Sequence, residues 1–254
     1  MMNFKKKISY SFDRGSKFYE SNAKIQRTIC IELLNFYKKL VTHNHNVQFT
    51  NALEIGCGSG FMTNQINKLE NFKKIHLIDI SKKMISIAKE NFPNQNFSYE
   101  VKDFDNFKNY KIYDFIYSNM SLHWSENFSK LFFYLLNQMP TGGYFIFSLL
   151  TSIKFDFDPK EIKKSLFEEL INKFPDTDYS ESQIDKEKFY FFSKKKIFKE
   201  KFKKPIEFFL NLKSIGANVN FKKNKTNIFF LRRMNSEITI NYDVIFFIIK
   251  KIRA

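Results

Sequence analysis

Leu53-Glu54-Ile55-Gly56-Cys57-Gly58-Ser59-Gly60 is the stretch whose reading decides the fold. A short aliphatic run, Ala52 to Ile55, closes on three glycines at alternate positions, and a helical apolar period follows from about Phe61 to Leu69. Glycines at a strand end let the backbone approach a ligand closely, and the helix N-terminus beyond them presents unpaired amide donors. The spacing is GxGxG, where a dinucleotide fold uses GxGxxG, and an acid, Glu54, precedes it.

Working outward, four more apolar runs predict strands at Ile75 to Ile78, Phe97 to Val101, Phe115 to Tyr117 and Tyr144 to Leu149. Helical patterns separate them, so a mainly parallel sheet with helices on both faces is expected. Upstream, Ile25, Ile29, Leu33, Phe36, Tyr37 and Leu40 predict one helix over Phe18 to Leu40, ended by the polar Thr42 to Asn46. Beyond Leu150 a charged helical region runs to about Phe174. Two late strands, Lys196 to Phe202 and Ile238 to Ile249, then flank a helix from Pro205 to about Ile215 that Gly216 terminates. Neither an internal repeat nor a long linker divides the chain. It reads as one domain over 1–254, with a helical lid (1–46), a ligand-binding core (47–150), and a cap that completes the sheet (151–254).

Acids stand at the ends of successive strands, where open α/β sheets bind ligands. Asp79 closes the second strand, where a carboxylate can accept from both hydroxyls of a ribose. Asp103 follows the third and is placed to accept from an adenine amino group, with Phe104 or Ile80 packing on the ring and Met84 in the same set. Asp114 opens the fourth strand, and Ser118 and Asn119 close it. Any one such acid is more often a turn or helix cap, but the ordered series reads as a binding site.

Composition narrows the rest. No apolar run approaches the roughly 20 residues of a bilayer span, and the basic start, Met1 to Lys7, leads into polar Ser9 to Arg14 rather than a secretory signal. Cys30 and Cys57 supply no disulfide framework. His43, His45, His76 and His123 lack metal-ligand spacing, so a cytoplasmic protein with a metal-free mechanism is expected. Net charge is +16, and Lys186 to Arg233 carries fifteen Lys or Arg against three acids, Glu187, Glu200 and Glu207. Part of that excess follows the Lys-, Asn-, Ile- and Phe-rich usage of an AT-rich genome. The remainder is either a solvated surface or a field that steers an anionic partner.

Residues 52 to 150 resemble the binding core of class I S-adenosylmethionine (SAM) methyltransferases, a Rossmann-like fold with a seven-stranded sheet. The flanks resemble the malonyl-acyl-carrier-protein O-methyltransferases of biotin synthesis. Ser11 to Glu20 with Ala23 to Arg27 resembles that family's opening helices, Ser118 to Trp124 its strand-four segment, Leu212 to Asn218 its C-terminal signature, and Ile238 to Tyr242 its last strand. The resemblance implies SAM as cofactor, S-adenosylhomocysteine as product, and malonyl-acyl-carrier protein or malonyl-coenzyme A as substrate, with methylation of the free carboxylate. It implies cofactor contacts at Glu54, Gly56, Cys57, Gly58, Gly60, Asp79, Ile80, Met84, Asp103, Phe104, Ser118 and Asn119. Substrate positioning would fall to Tyr19, Arg14, His123 and Trp124: Tyr19 and Trp124 have packing as their alternative, Arg14 an exposed ion pair, and His123 reads as a positioning or packing residue before a catalytic base, while Cys57 reads as a small spacer used through its amide. Two rivals stand beside this reading: an arginine-modifying assembly factor of respiratory complex I with a methyltransferase-like fold, and a basic SAM-fold protein acting on RNA. Nucleic acid ranks below the carrier protein because no added RNA-binding module is legible.

Overall fold

Alternating strand and helix periods fold into one sheet whose order is β3-β2-β1-β4-β5-β7-β6. The computed structural model describes residues 3–41, 48–156, 174–175, 177–218 and 231–253. The strands are β1 (Gln48–Ile55), β2 (Asn71–Asp79), β3 (Phe97–Val101), β4 (Phe115–Asn119), β5 (Tyr144–Asp156), β6 (Phe189–Phe202) and β7 (Ile238–Lys251). The first five pair in parallel, and β7 inserts antiparallel between β5 and β6. This is the class I methyltransferase fold. Both late strands are longer than expected: β6 begins at Phe189 rather than Lys196, the polar Ser193 to Lys196 separating its aromatic first residues from the rest, and β7 runs on through Lys250 and Lys251.

The helices are α1 (Phe4–Asn22), α2 (Lys24–Leu40), α3 (Phe61–Ile66), α4 (Lys82–Asn91), α5 (Phe128–Gln138), α6 (Asp178–Ser182) and α7 (Pro205–Ser214). Ile29, Leu33 and Tyr37 of α2, with Met62 and Ile66 of α3, cover one face of the sheet against Phe115, Tyr117, Ile146 and Phe246. Leu131, Phe132 and Leu135 of α5 cover the other, against Ile116, Phe145, Phe147 and Phe247. Rings of Phe145, Phe147 and Phe247 stack there at 4.5 and 4.6 Å. Burial on both faces is why β4, β5 and β7 read as continuous apolar runs.

The single helix expected over Phe18 to Leu40 is two helices, broken at Ala23 (φ −79°, ψ 46°). No Gly or Pro marks the break. Asn3 caps α1, its side chain accepting from the Lys5 amide at 2.8 Å. α1 was indicated only by the family resemblance, because its inward face holds Lys5, Gly15 and Ser16 beside Ile8 and its apolar periodicity is weak. Most of the charged helical region after Leu150 (157–173) lies outside the described residues, as do Thr42 to Asn46, His43 and His45. Among the described residues no helix is long and apolar enough to cross a membrane.

Candidate active site

The glycine turn leaves β1 by hooking over β2: the amides of Gly56 and Cys57 both donate to the Ile78 carbonyl, at 2.8 and 3.0 Å. Gly56 (φ +67°) has no room for a side chain, since a Cβ would collide with the Ser121 hydroxyl. Gly58 (φ +53°) donates its amide to Asp79 Oδ2 at 2.9 Å, and Ser81 donates to Asp79 Oδ1 at 2.8 Å. Each Asp79 oxygen therefore accepts one amide and keeps a lone pair for a further donor. Burial pushes the Asp79 carboxyl up to about 6, against the pull of those amides.

Beside this turn opens a cleft of about 560 Å³, counting its solvent-filled mouth. Gly56, Gly58, Asp79, Ile80, Met84, Asp103, Phe104, Asn119, Tyr19 and Trp124 of the expected set all line it. Lys5, Ile8 and Phe12 of α1 line it too, with Met120 and Ser121 after β4. Sequence reasoning missed these five; for Met120 and Ser121 the strand-end position was the available signal. Met120 holds φ +51°, a costly conformation for a side chain of that size, with its amide donating to the Ser148 hydroxyl at 2.9 Å.

The other expected residues stand apart from the lining. Glu54 is buried beneath the turn, accepting a short hydrogen bond from the Thr63 hydroxyl, which also meets Tyr117 Oη at 3.0 Å. Burial raises its carboxyl to about 8, so Glu54 is protonated at neutral pH. Cys57 contributes its amide to the turn, and burial pushes its thiol up. Gly60 (φ +87°) caps α3. Ser118 donates to the Ile55 carbonyl at 2.8 Å, tying β4 to β1. Arg14 is exposed, 5.7 Å from the Tyr10 ring centroid, and is not among the residues that line the cleft. His123 packs on Trp124 and Phe174, and its Nδ1 is buried with no hydrogen-bond partner among the described residues. Burial lowers the His123 imidazole to about 3, which leaves it neutral near pH 7. Asn119 lines the cleft with both ends of its amide committed: Nδ2 donates to the Gln26 carbonyl at 3.0 Å, and Oδ1 accepts from Ser148 at 2.8 Å.

The arrangement suits a cationic nucleoside. Asp79 offers paired acceptors, Asp103 offers another one strand further out, and Phe104, Ile80 and Met84 supply an apolar slot. The methyltransferase-domain family matches residues 47–204. The chain belongs to the class I SAM-dependent methyltransferases. Among curated relatives of this methyltransferase, malonyl-[acyl-carrier protein] O-methyltransferase 1 of Ilyobacter polytropus is 32% identical over 84% of this chain and 78% of its own. Malonyl-[acyl-carrier protein] O-methyltransferase 2 of Coxiella burnetii is 27% identical over 98% of both chains. A Haemonchus contortus phosphoethanolamine N-methyltransferase, solved with phosphomonomethylethanolamine and S-adenosylhomocysteine, shares the fold with a TM-score of 0.58. It is 16% identical, over 100% of this chain and 61% of that one.

α1 and α7 meet beside the cleft at a pair of glycines. A Cβ on Gly15 would lie 2.5 Å from the Ile215 carbonyl carbon, and one on Gly216 would lie 2.6 Å from the Phe12 Cα. Ser11 donates to Asn218 Oδ1 at 2.7 Å, and Asn22 to Ser214 at 2.8 Å. Asp13 accepts from Ser81 at 2.6 Å and from the Lys83 amide at 3.0 Å, while Ser9 donates to the Ile80 carbonyl at 2.9 Å. Hence the two flanking segments singled out in the sequence are one structural unit.

Proposed function

We propose that this methyltransferase transfers the methyl group of SAM to the free carboxylate of a malonyl thioester, with acyl-carrier protein as the preferred thioester carrier. One observation carries the reading. Relatives named for this activity align beyond the shared core, through α1 and α7, with the Coxiella protein matching over 98% of both chains. Those flanks are the elements that roof and border the cleft, so likeness there bears on the acceptor and not only on the cofactor.

SAM supplies an electrophilic methyl group on a sulfonium centre. Asp79 would hold the ribose, and Asp103 with Phe104 and Ile80 the adenine, with Trp124 beside them, which leaves Tyr19, Asn119, Met120 and Ser121 for the transfer end. Their task is alignment and exclusion of water. A carboxylate acceptor is already ionised at neutral pH and needs no base, which agrees with a His123 too buried to take up a proton. Cys30 and Cys57 are both free and buried, which suits a reducing cytoplasm.

Intact mass analysis of malonyl- and acetyl-carrier protein after incubation with SAM tests the proposal. One added methylene on the malonyl form alone is expected, because an acetyl thioester offers no carboxylate. Methylation of neither, under conditions where SAM binds, would overturn the substrate assignment.

A further inference from the structure

One face of α1 brings Lys5, Ile8, Phe12 and Tyr19 into the cleft, and Lys5 is the one cation among the described lining residues. Its Nζ stands 3.1 Å from Asp103 Oδ1 and 2.6 Å from Asp105 Oδ2. It also donates to the Trp124 carbonyl at 3.1 Å and lies 4.6 Å from the Phe104 ring centroid. Only 10% of the side chain is exposed. An ammonium so placed is held by all its donors at once, and a buried pair of this kind resists loss of either partner.

Asp103 and Phe104 form the end of the cleft read above as the adenine site, so an arriving amino group meets a position that an ammonium already fills. Further along, α1 is fixed by Ser9, Ser11, Asp13 and Gly15. Its first turn is fastened across the cleft through Lys5. We propose that Lys5 is the latch for cofactor exchange: its pairing with Asp103 and Asp105 breaks to admit SAM, and its bonds to Asp105 and the Trp124 carbonyl re-form over the bound molecule. In the closed, filled state Asp105 and the Trp124 carbonyl keep the ammonium, while Asp103 turns to the ligand. This inference rests on the cofactor reading of the cleft.

Trp124 is the chain's only tryptophan and its carbonyl bonds Lys5, so its fluorescence reports on both ligand and latch. Stopped-flow mixing with S-adenosylhomocysteine would compare the wild type with Lys5→Met, which keeps an apolar stem, and Lys5→Arg, which restores the charge. A latch present in empty and filled states slows both directions. Lys5→Met should therefore raise association and dissociation rates together, by about ten-fold or more for loss of a charged hydrogen-bond set, with the calorimetric Kd changing far less. Lys5→Arg should return both rates toward wild type. Faster dissociation with unchanged association would make Lys5 an ordinary binding contact, and unchanged rates would remove its role; either overturns the proposal. Should Lys5→Met fail to fold, Asp105→Asn weakens the same latch without touching Asp103 and must reproduce the acceleration. If calorimetry records binding while Trp124 is silent, the cofactor lies elsewhere, and the cleft reading falls before the latch is judged.

Discussion

Asp79 does two things at once: it accepts the amides of Gly58 and Ser81, and it turns its remaining lone pairs toward the cleft. Asp79→Ala should weaken S-adenosylhomocysteine binding by about 10- to 100-fold, since hydrogen bonds to a charged group contribute roughly 1.5–3 kcal/mol. Asp103→Ala should cost less, because its oxygens are shared with Lys5, the Asp105 amide and Asn106; calorimetry on both variants checks the ranking. Glu54 gives a pH signature of its own. Its folded carboxyl sits at about 8, well above its unfolded value, so between pH 6 and 8 the folded protein holds a proton that the unfolded chain has released. Stability of the ligand-free protein should fall as pH rises through that window. Thermal unfolding should show a flatter pH dependence in Glu54→Gln, and an equal slope would place the proton elsewhere. Asp79 was legible in the sequence because a strand-end acid after a glycine turn has few other uses. Lys5 was not: within the run Lys5-Lys6-Lys7 it reads as solvated charge, and its partners lie about a hundred residues away.

At the level of elements, the crossing of α1 and α7 leaves no space for even a methyl group. Gly15→Ala would press a Cβ into the backbone of Ile215 and Gly216, where no side chain can rotate aside. Overpacking of this kind costs about 1–3 kcal/mol. The greater effect should be on binding, because parting the two helices also lifts Ile8, Phe12 and Tyr19 from the cleft. Denaturant unfolding measured beside SAH affinity separates the two; a full stability loss with unchanged affinity would show that α1 is not the roof. β1, β2, β4 and β5 were legible as apolar runs because they are buried on both faces. α7 was legible from Pro205 at its start and Gly216, in the left-handed region, after its end. The break between α1 and α2 was not, since Ala23 carries no turn chemistry and only the packing of both helices against the fold imposes it.

For the whole molecule, the excess of positive charge divides on inspection. Lys194 and Lys196 both reach Glu32, at 3.1 and 2.9 Å, and Lys195 and Lys201 pair with Asp178 and Glu237. Part of the basic stretch therefore tends its own surface, and along the free edge of β6 it also discourages pairing with other sheets. Lys203, Lys204 and Lys213 remain candidates for meeting an acidic carrier, with Lys222 and Lys223 outside the described residues. If they do, the apparent KM for carrier protein should climb as the Debye length shrinks from about 10 Å at 0.1 M to about 3 Å at 1 M salt, while malonyl-coenzyme A responds less. Equal responses in steady-state kinetics would mean that these lysines do not select the carrier.

The position of β7 between β5 and β6 also sets a schedule. Strand order in space and order of synthesis part company here: β6 leaves the ribosome before β7, yet among the described residues β7 is its only neighbour in the sheet. Until residues 238–251 emerge, β5 has an open side and β6 lacks its one ladder partner among the described residues, while β1 to β4 can already pair among themselves. A nascent chain paused before Ile238 would hold the glycine turn and Asp79 in a half-built sheet. The lysines of β6 would then be the charge that keeps the waiting strand in solution.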